Sequence, residues 1–112
     1  MSFVPTSWAY LVLAGLFEVG FASSLKLTNG FTRPWPTLAF AVCIVLSFIF
    51  LNKALKDIPV GTAYAIWTGI GAAGTAAVGI LFYKEPATAL RLFFIATLIG
   101  SIIGLKIATP TQ

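Results

Sequence analysis

The stretch LVLAGLFEVGFASSL, residues 11–25, decides how this chain folds. It is apolar on both sides of one acid, Glu18. A run of this kind, extended a few residues either way, is long enough to cross a bilayer core of about 30 Å as a helix. An ionised group at that depth costs roughly 3 kcal/mol on insertion scales, so such residues face a bundle interior or a watery cavity. At helical spacing Ala14, Gly15, Phe21, Ala22 and Leu25 share the face of Glu18. Three of these are small and leave room beside the carboxylate. A Glu held by Ser or Tyr hydroxyls for helix packing alone is the bland alternative, but a neutral residue would pack there at lower cost.

Three further apolar runs follow. The four expected spans are about 8–27, 35–55, 59–82 and 88–108. TNGFTRP ends the first, Pro34 and Pro36 open the second, and YKEP stops the third. The loops are short, so neighbouring helices are expected to be antiparallel. Of the 112 residues, 59% are hydrophobic and 9% charged, too few charges to coat a soluble domain. The expectation is one all-α integral membrane domain over residues 1–112, a four-transmembrane-helix bundle surrounded by lipid. MSFVPTSW, at the N-terminus, holds no Lys or Arg and precedes no clear cleavage site. The first run therefore reads as a retained helix, not a signal peptide.

The composition argues against several functions. The formal net charge is +4, but the cations sit in the gaps between apolar runs, where they act as topology signals. No basic stripe with interleaved aromatics exists, so a nucleic-acid partner is not expected. Cys43 is the one cysteine, placed mid-run, and is read as a small core or lipid-facing residue. Histidine is absent and acids are few, so neither a metal site nor a cofactor is expected. There is no nucleophile–base pair or phosphate loop, and the chain does not read as an enzyme.

The cations also bear on orientation. Lys53, Lys56 and Lys106 fall on the side of the N-terminus, and Lys26, Arg33, Lys84 and Arg91 on the other. Orientation follows Lys/Arg bias, and here the bias is nearly nil. The chain is expected to insert both ways, so that two copies meet head-to-tail as an antiparallel, dual-topology homodimer. Four helices hardly enclose a transport path, and a second copy would complete one. Ala96, Gly100 and Gly104 recur every four residues in the fourth span and offer a close-packing seam.

No Lys or Arg lies within the spans near Glu18. In low dielectric an unpaired carboxylate either takes up a proton or holds a cation. Two such groups facing one another would titrate as a pair. Proton and cationic substrate then compete for the same carboxylates, and inward protons can drive cations outward. The third span supplies a polar lining in GTAYAIWTGIGAAG, where Tyr64, Trp67 or Thr68, and Gly71 lie on one stripe. Tyr and Trp offer hydrogen bonds and aromatic faces to a flat cation. Gly69, Gly71 and Gly74 crowd one stretch and mark a candidate bend or close crossing. Ser47 is a further candidate donor to the carboxylate, although a membrane Ser commonly bonds its own helix.

These residues resemble the small multidrug resistance family over essentially the whole chain. The resemblance rests on FEVGFASSLK, NGFTRPWP, PVGTAYAIWTGIG and the fourth span with its glycines. GTAYAIWTGIGAAG and KEPATALR look like the guanidinium exporter subtype. The resemblance implies an antiparallel homodimer that exchanges two protons for guanidinium-type cations across the bacterial inner membrane. It implies that Glu18 binds both, and that Ser47, Tyr64 and Trp67, with Gly15 nearby, line the site. The quaternary-ammonium subtype lacks the KEPATALR signature, but Phe21 in place of Trp keeps polyspecific efflux of lipophilic cations such as quaternary ammonium compounds open, and paired members of the family keep a heterodimer open. A non-transporting membrane subunit is the rival of a different class.

The exporter pattern carries Trp three residues after the central Glu, and here that position is Phe21, with Gly20 beside it. Phe donates no hydrogen bond, so Glu18 loses a partner and the pocket loosens. Substituted or bulkier guanidinyl compounds are therefore expected to be tolerated. A guanidinium ion is planar and presents paired donors that a carboxylate accepts in parallel.

Overall fold

The computed structural model describes residues 5–109. Residues 1–4, the first half of MSFVPTSW, lie outside the described residues, as do residues 110–112. Four helices follow one another: α1 (Pro5–Leu25), α2 (Pro34–Ala54), α3 (Val60–Phe82) and α4 (Ala89–Ala108). Each holds 20 to 23 residues. At 1.5 Å per residue that is about the thickness of a bilayer core, and all four are apolar enough to cross one.

The boundaries follow local chemistry. α1 stops at Leu25, two residues before the expected end, because Lys26–Thr28 tighten into a 3-10 turn. The Thr28 hydroxyl donates to the Leu25 carbonyl at 2.7 Å and accepts from the Phe31 amide at 3.3 Å. Asn29, Gly30 and Phe31 then take left-handed φ of 48°, 70° and 66°, which Asn and Gly accommodate at little cost. Arg33 is extended, as a residue before proline must be, and Pro34 opens α2 where a missing amide proton costs nothing. At the end of α3, Lys84 turns left-handed (φ 57°) and the Glu85 amide caps the Gly79 carbonyl at 3.0 Å. Thr88 caps α4, its hydroxyl accepting from the Arg91 amide at 3.2 Å.

The helices form a slab whose Cα atoms span 46 × 35 × 17 Å. α1 lies between α2 and α3, and α4 packs on α3. Two short turns separate α1 from α3, so these two helices run in the same direction. Trp8, Leu11, Ala14, Leu51, Ala54 and Ile58 form the best-buried cluster with the first half of α3. The core thus gathers at the end that carries the α2–α3 turn. α4 buries no residue within the protomer, and large apolar side chains such as Ile107, Phe82 and Trp35 are the most exposed. An apolar exterior of this kind suits lipid or a second copy, not water.

Polar bonds tie down both ends. At one, the buried Ser7 hydroxyl donates to Asp57 in the α2–α3 turn, and the Lys106 ammonium sits 5.0 Å over the Trp8 ring. At the other, the Tyr83 hydroxyl donates to the Ser23 carbonyl at 2.7 Å, Lys26 lies 4.9 Å over the Tyr83 ring, and Arg91 pairs with Glu85 at 2.7 Å. Asp57 and Glu85 thus have partners at the bundle ends, which leaves Glu18 as the acid of the middle.

Candidate functional site

Glu18 sits past the midpoint of α1, and its carboxyl rests directly on Gly71 of α3. A Cβ at residue 71 would overlap the Glu18 Cδ and Oε1. One turn earlier, a Cβ at Gly15 would fall 2.6 Å from Ile70 Cγ2. Further on, Gly74 admits the Val19 side chain in the same way. These three glycines let α1 and α3 approach closely. On the opposite side of α1, a Cβ at Gly20 would meet the Cys43 sulfur at 2.9 Å.

Beside the acid is a fully built polar link. Ser47 is 0% exposed, and its hydroxyl donates to the Ala14 carbonyl at 2.7 Å. The same oxygen accepts from Trp67 Nε1 at 2.9 Å, the indole being 5% exposed. Ser47 therefore bonds neither the carboxylate nor its own helix, contrary to both sequence expectations. The reason is geometric: it faces Ala14, one turn (about 6 Å) before Glu18, where a free α1 carbonyl lone pair is within reach. This link pins α2, α1 and α3 together.

Tyr64 is 57% exposed, with its ring edge-on to Trp67 at 5.3 Å. Phe48 flanks the same indole at 5.3 Å, so Trp67 lies between two rings. Phe21 packs edge-on against Phe40 at 5.9 Å and gives no donor. Oε1 of Glu18 is buried with no hydrogen-bond partner among the described residues. No described Lys or Arg pairs with it either; Arg91 pairs with Glu85 at the end of the bundle.

The residues expected at an interface or hinge divide into two groups. Gly71 sits under Glu18, and Gly69 sits under Ile102, whose Cδ1 would lie 2.8 Å from an added Cβ. Both make contacts inside the protomer, and α3 is continuous through them. Ala96 is exposed, and Gly100 and Gly104 have nothing within 4 Å of an added Cβ. Among the described residues no group of three His, Cys, Asp or Glu could hold a metal. Two buried hydroxyls, Ser23 and Thr75, were not singled out by the sequence pattern. The available signal was the spacing of Thr75, four residues after Gly71.

Residues 6–98 match the family model described as Small Multidrug Resistance protein. The chain is 47% identical over 103 residues to a guanidinium exporter of Citrobacter freundii, covering 92% of this chain and 98% of the relative. It is 48% identical over 103 residues, with the same coverage of both, to a guanidinium exporter of Escherichia coli (strain K12). Four apolar helices of spanning length and these matches make this a multi-pass membrane protein, and the chain belongs to the small multidrug resistance family.

Proposed function

We propose that two copies of this chain, packed in opposite orientations, export guanidinium and substituted guanidinyl cations across the bacterial inner membrane in exchange for protons. Glu18 of each copy holds proton and substrate in turn. The observation that carries this reading is the mid-bundle carboxyl, seated on Gly71 with a buried oxygen lacking any partner and no basic neighbour among the described residues. A group in that position must bind something that comes and goes. The guanidinium exporters among its relatives support the choice of cargo.

The neighbouring residues have distinct parts in this scheme. The Ser47–Trp67 link fixes the frame beside Glu18, and Gly15 keeps α1 close to α3. Tyr64, more than half exposed and edge-on to Trp67, presents an aromatic face to an arriving cation. Phe21 leaves the carboxylate without an indole donor, which widens the range of guanidinyl substituents accepted. The open stripe of Ala96, Gly100 and Gly104 on α4 is the seam for the second copy.

Reconstitution into liposomes with an imposed pH gradient tests the reading. Wild type should take up guanidinium against its gradient with counter-movement of protons, and Glu18→Gln should abolish that coupling. A Glu18→Gln variant that exchanges at the wild-type rate overturns it. The aromatic cluster of Phe48, Trp67 and Tyr64, together with a carboxyl free of donors, favours one second reading: export of lipophilic quaternary ammonium cations. The same liposomes loaded with a tetraalkylammonium ion distinguish the two.

A further inference from the structure

α4 touches α3 where the bare Gly69 makes room for Ile102. Alongside that contact, α1, α3 and α4 enclose a groove of about 330 Å³. α1 and α4 each pack on α3, so α3 is its floor. Ala73 and Ala77 keep that floor low, Leu16 and Val19 of α1 wall one side, and Ile95 and Ile99 of α4 wall the other.

Every side chain lining the groove is aliphatic. A guanidinium ion would find no acceptor there and would lose its hydration for nothing. A helix about 10 Å across does not enter a hollow of this size. A hydrocarbon chain does, and all the lining residues lie inside the four spans, at the depth of the bilayer core.

The glycine stripe of α4 is a different face. At about 100° per residue, Ile99 and Ile95 are turned roughly 100–140° away from Gly100. A second copy seated on Ala96, Gly100 and Gly104 therefore leaves the groove to lipid.

One end of the groove is basic. Ala77 and Val19 lie within two turns of the helix ends at Phe82 and Leu25. Just past those ends come Lys84 and Lys26, and Arg91 lies one turn before Ile95 on the same face of α4. Lys84 is roughly 10 Å along the axis from Ala77, at the height of the headgroup layer. Glu85 is the acid at this end, and it pairs with Arg91. Lys26 rests on the Tyr83 ring, and Lys84 is exposed with no partner among the described residues. Basic side chains at the mouth of an apolar groove between helices suit an anionic headgroup whose chain occupies the groove.

We infer that this groove is a lipid site: one acyl chain of an anionic phospholipid lies on Ala73 and Ala77 between α1 and α4, and its phosphate sits among Lys26, Lys84 and Arg91. The site stands whatever cation the protein carries.

The full-length protein in nanodiscs of phosphatidylglycerol and phosphatidylcholine tests it. A high-resolution structure should show an ordered acyl chain in the groove and a phosphate within ion-pair distance of Lys84. A groove filled by the second copy, or one with no headgroup at Lys84, overturns the inference. Native mass spectrometry of the purified protein gives a second measure. Phosphatidylglycerol should bind more tightly than phosphatidylcholine of the same chains, and Lys84→Gln should weaken it about fivefold while phosphatidylcholine binding is unchanged. Ala77→Phe, which fills the groove from an exposed position, should weaken both lipids. Equal binding of the two lipids by the wild type, or variants that bind as the wild type does, also overturns the inference.

Discussion

The Glu18 carboxyl lies against the bare α-carbon of Gly71, and nothing larger than hydrogen fits between them. What would have to yield to a Cβ is the far end of a flexible side chain, not backbone. Gly71→Ala should therefore leave the protein folded but displace the carboxyl. Guanidinium binding, followed by tryptophan fluorescence, should weaken about tenfold, or roughly 1.4 kcal/mol. Unchanged affinity would mean that the seat of Glu18 on Gly71 is irrelevant to binding.

The Ala14–Ser47–Trp67 link is fully buried, and one oxygen completes it. Ser47→Ala strips the indole of its acceptor and the Ala14 carbonyl of its donor. The expected loss of stability is about 1–3 kcal/mol, visible as a lower thermal midpoint in detergent. Ser47→Thr keeps the hydroxyl and should lose less stability if the added methyl is accommodated. Equal midpoints for wild type and Ser47→Ala would show that the link adds nothing to the fold.

The helices were legible in the sequence because length and apolarity alone define a span, and the prolines, NG and KEP mark the turns. The first boundary shifted because Lys26–Thr28 wind into a 3-10 turn that no periodicity announces. The central acid was legible for the same reason: one charge in an apolar run stands out. Its surroundings were less so. Spacing places Ser47 and Trp67 in the bundle, but three-helix register decides that they bond each other and Ala14 instead of Glu18. Gly69 and Gly71 read as a bend, close crossing or interface, and a Cβ at either would meet Ile102 of α4 or Glu18 of α1 in the same chain, which spacing alone does not reveal.

Oε1 of Glu18 has no hydrogen-bond partner among the described residues, and Phe21, three residues on, carries no donor. Phe21→Trp restores an indole on the same face of α1. A hydrogen bond to a charged group contributes about 1.5–3 kcal/mol, so the variant should favour bare guanidinium over bulky analogues by roughly tenfold or more. Paired exchange currents for guanidinium and an alkyl-substituted analogue measure this. A preference that does not move would show that residue 21 has no part in selectivity.

Gly100 and Gly104 face open space in the protomer. Replacing both by Leu should leave helix content intact but weaken self-association, because small residues at this spacing let backbones approach in lipid. Crosslinking in membranes should show the dimer band falling several-fold. A dimer of undiminished strength would place the seam elsewhere.

Proton release on adding guanidinium to the purified protein in weakly buffered detergent, at mildly acidic pH, is the most direct test that one carboxylate serves both ions. Competition for Glu18 requires wild type to release protons, to bind more weakly as the pH falls, and Glu18→Gln to release none. Binding of equal strength at every pH, with no proton appearing in solution, would contradict it.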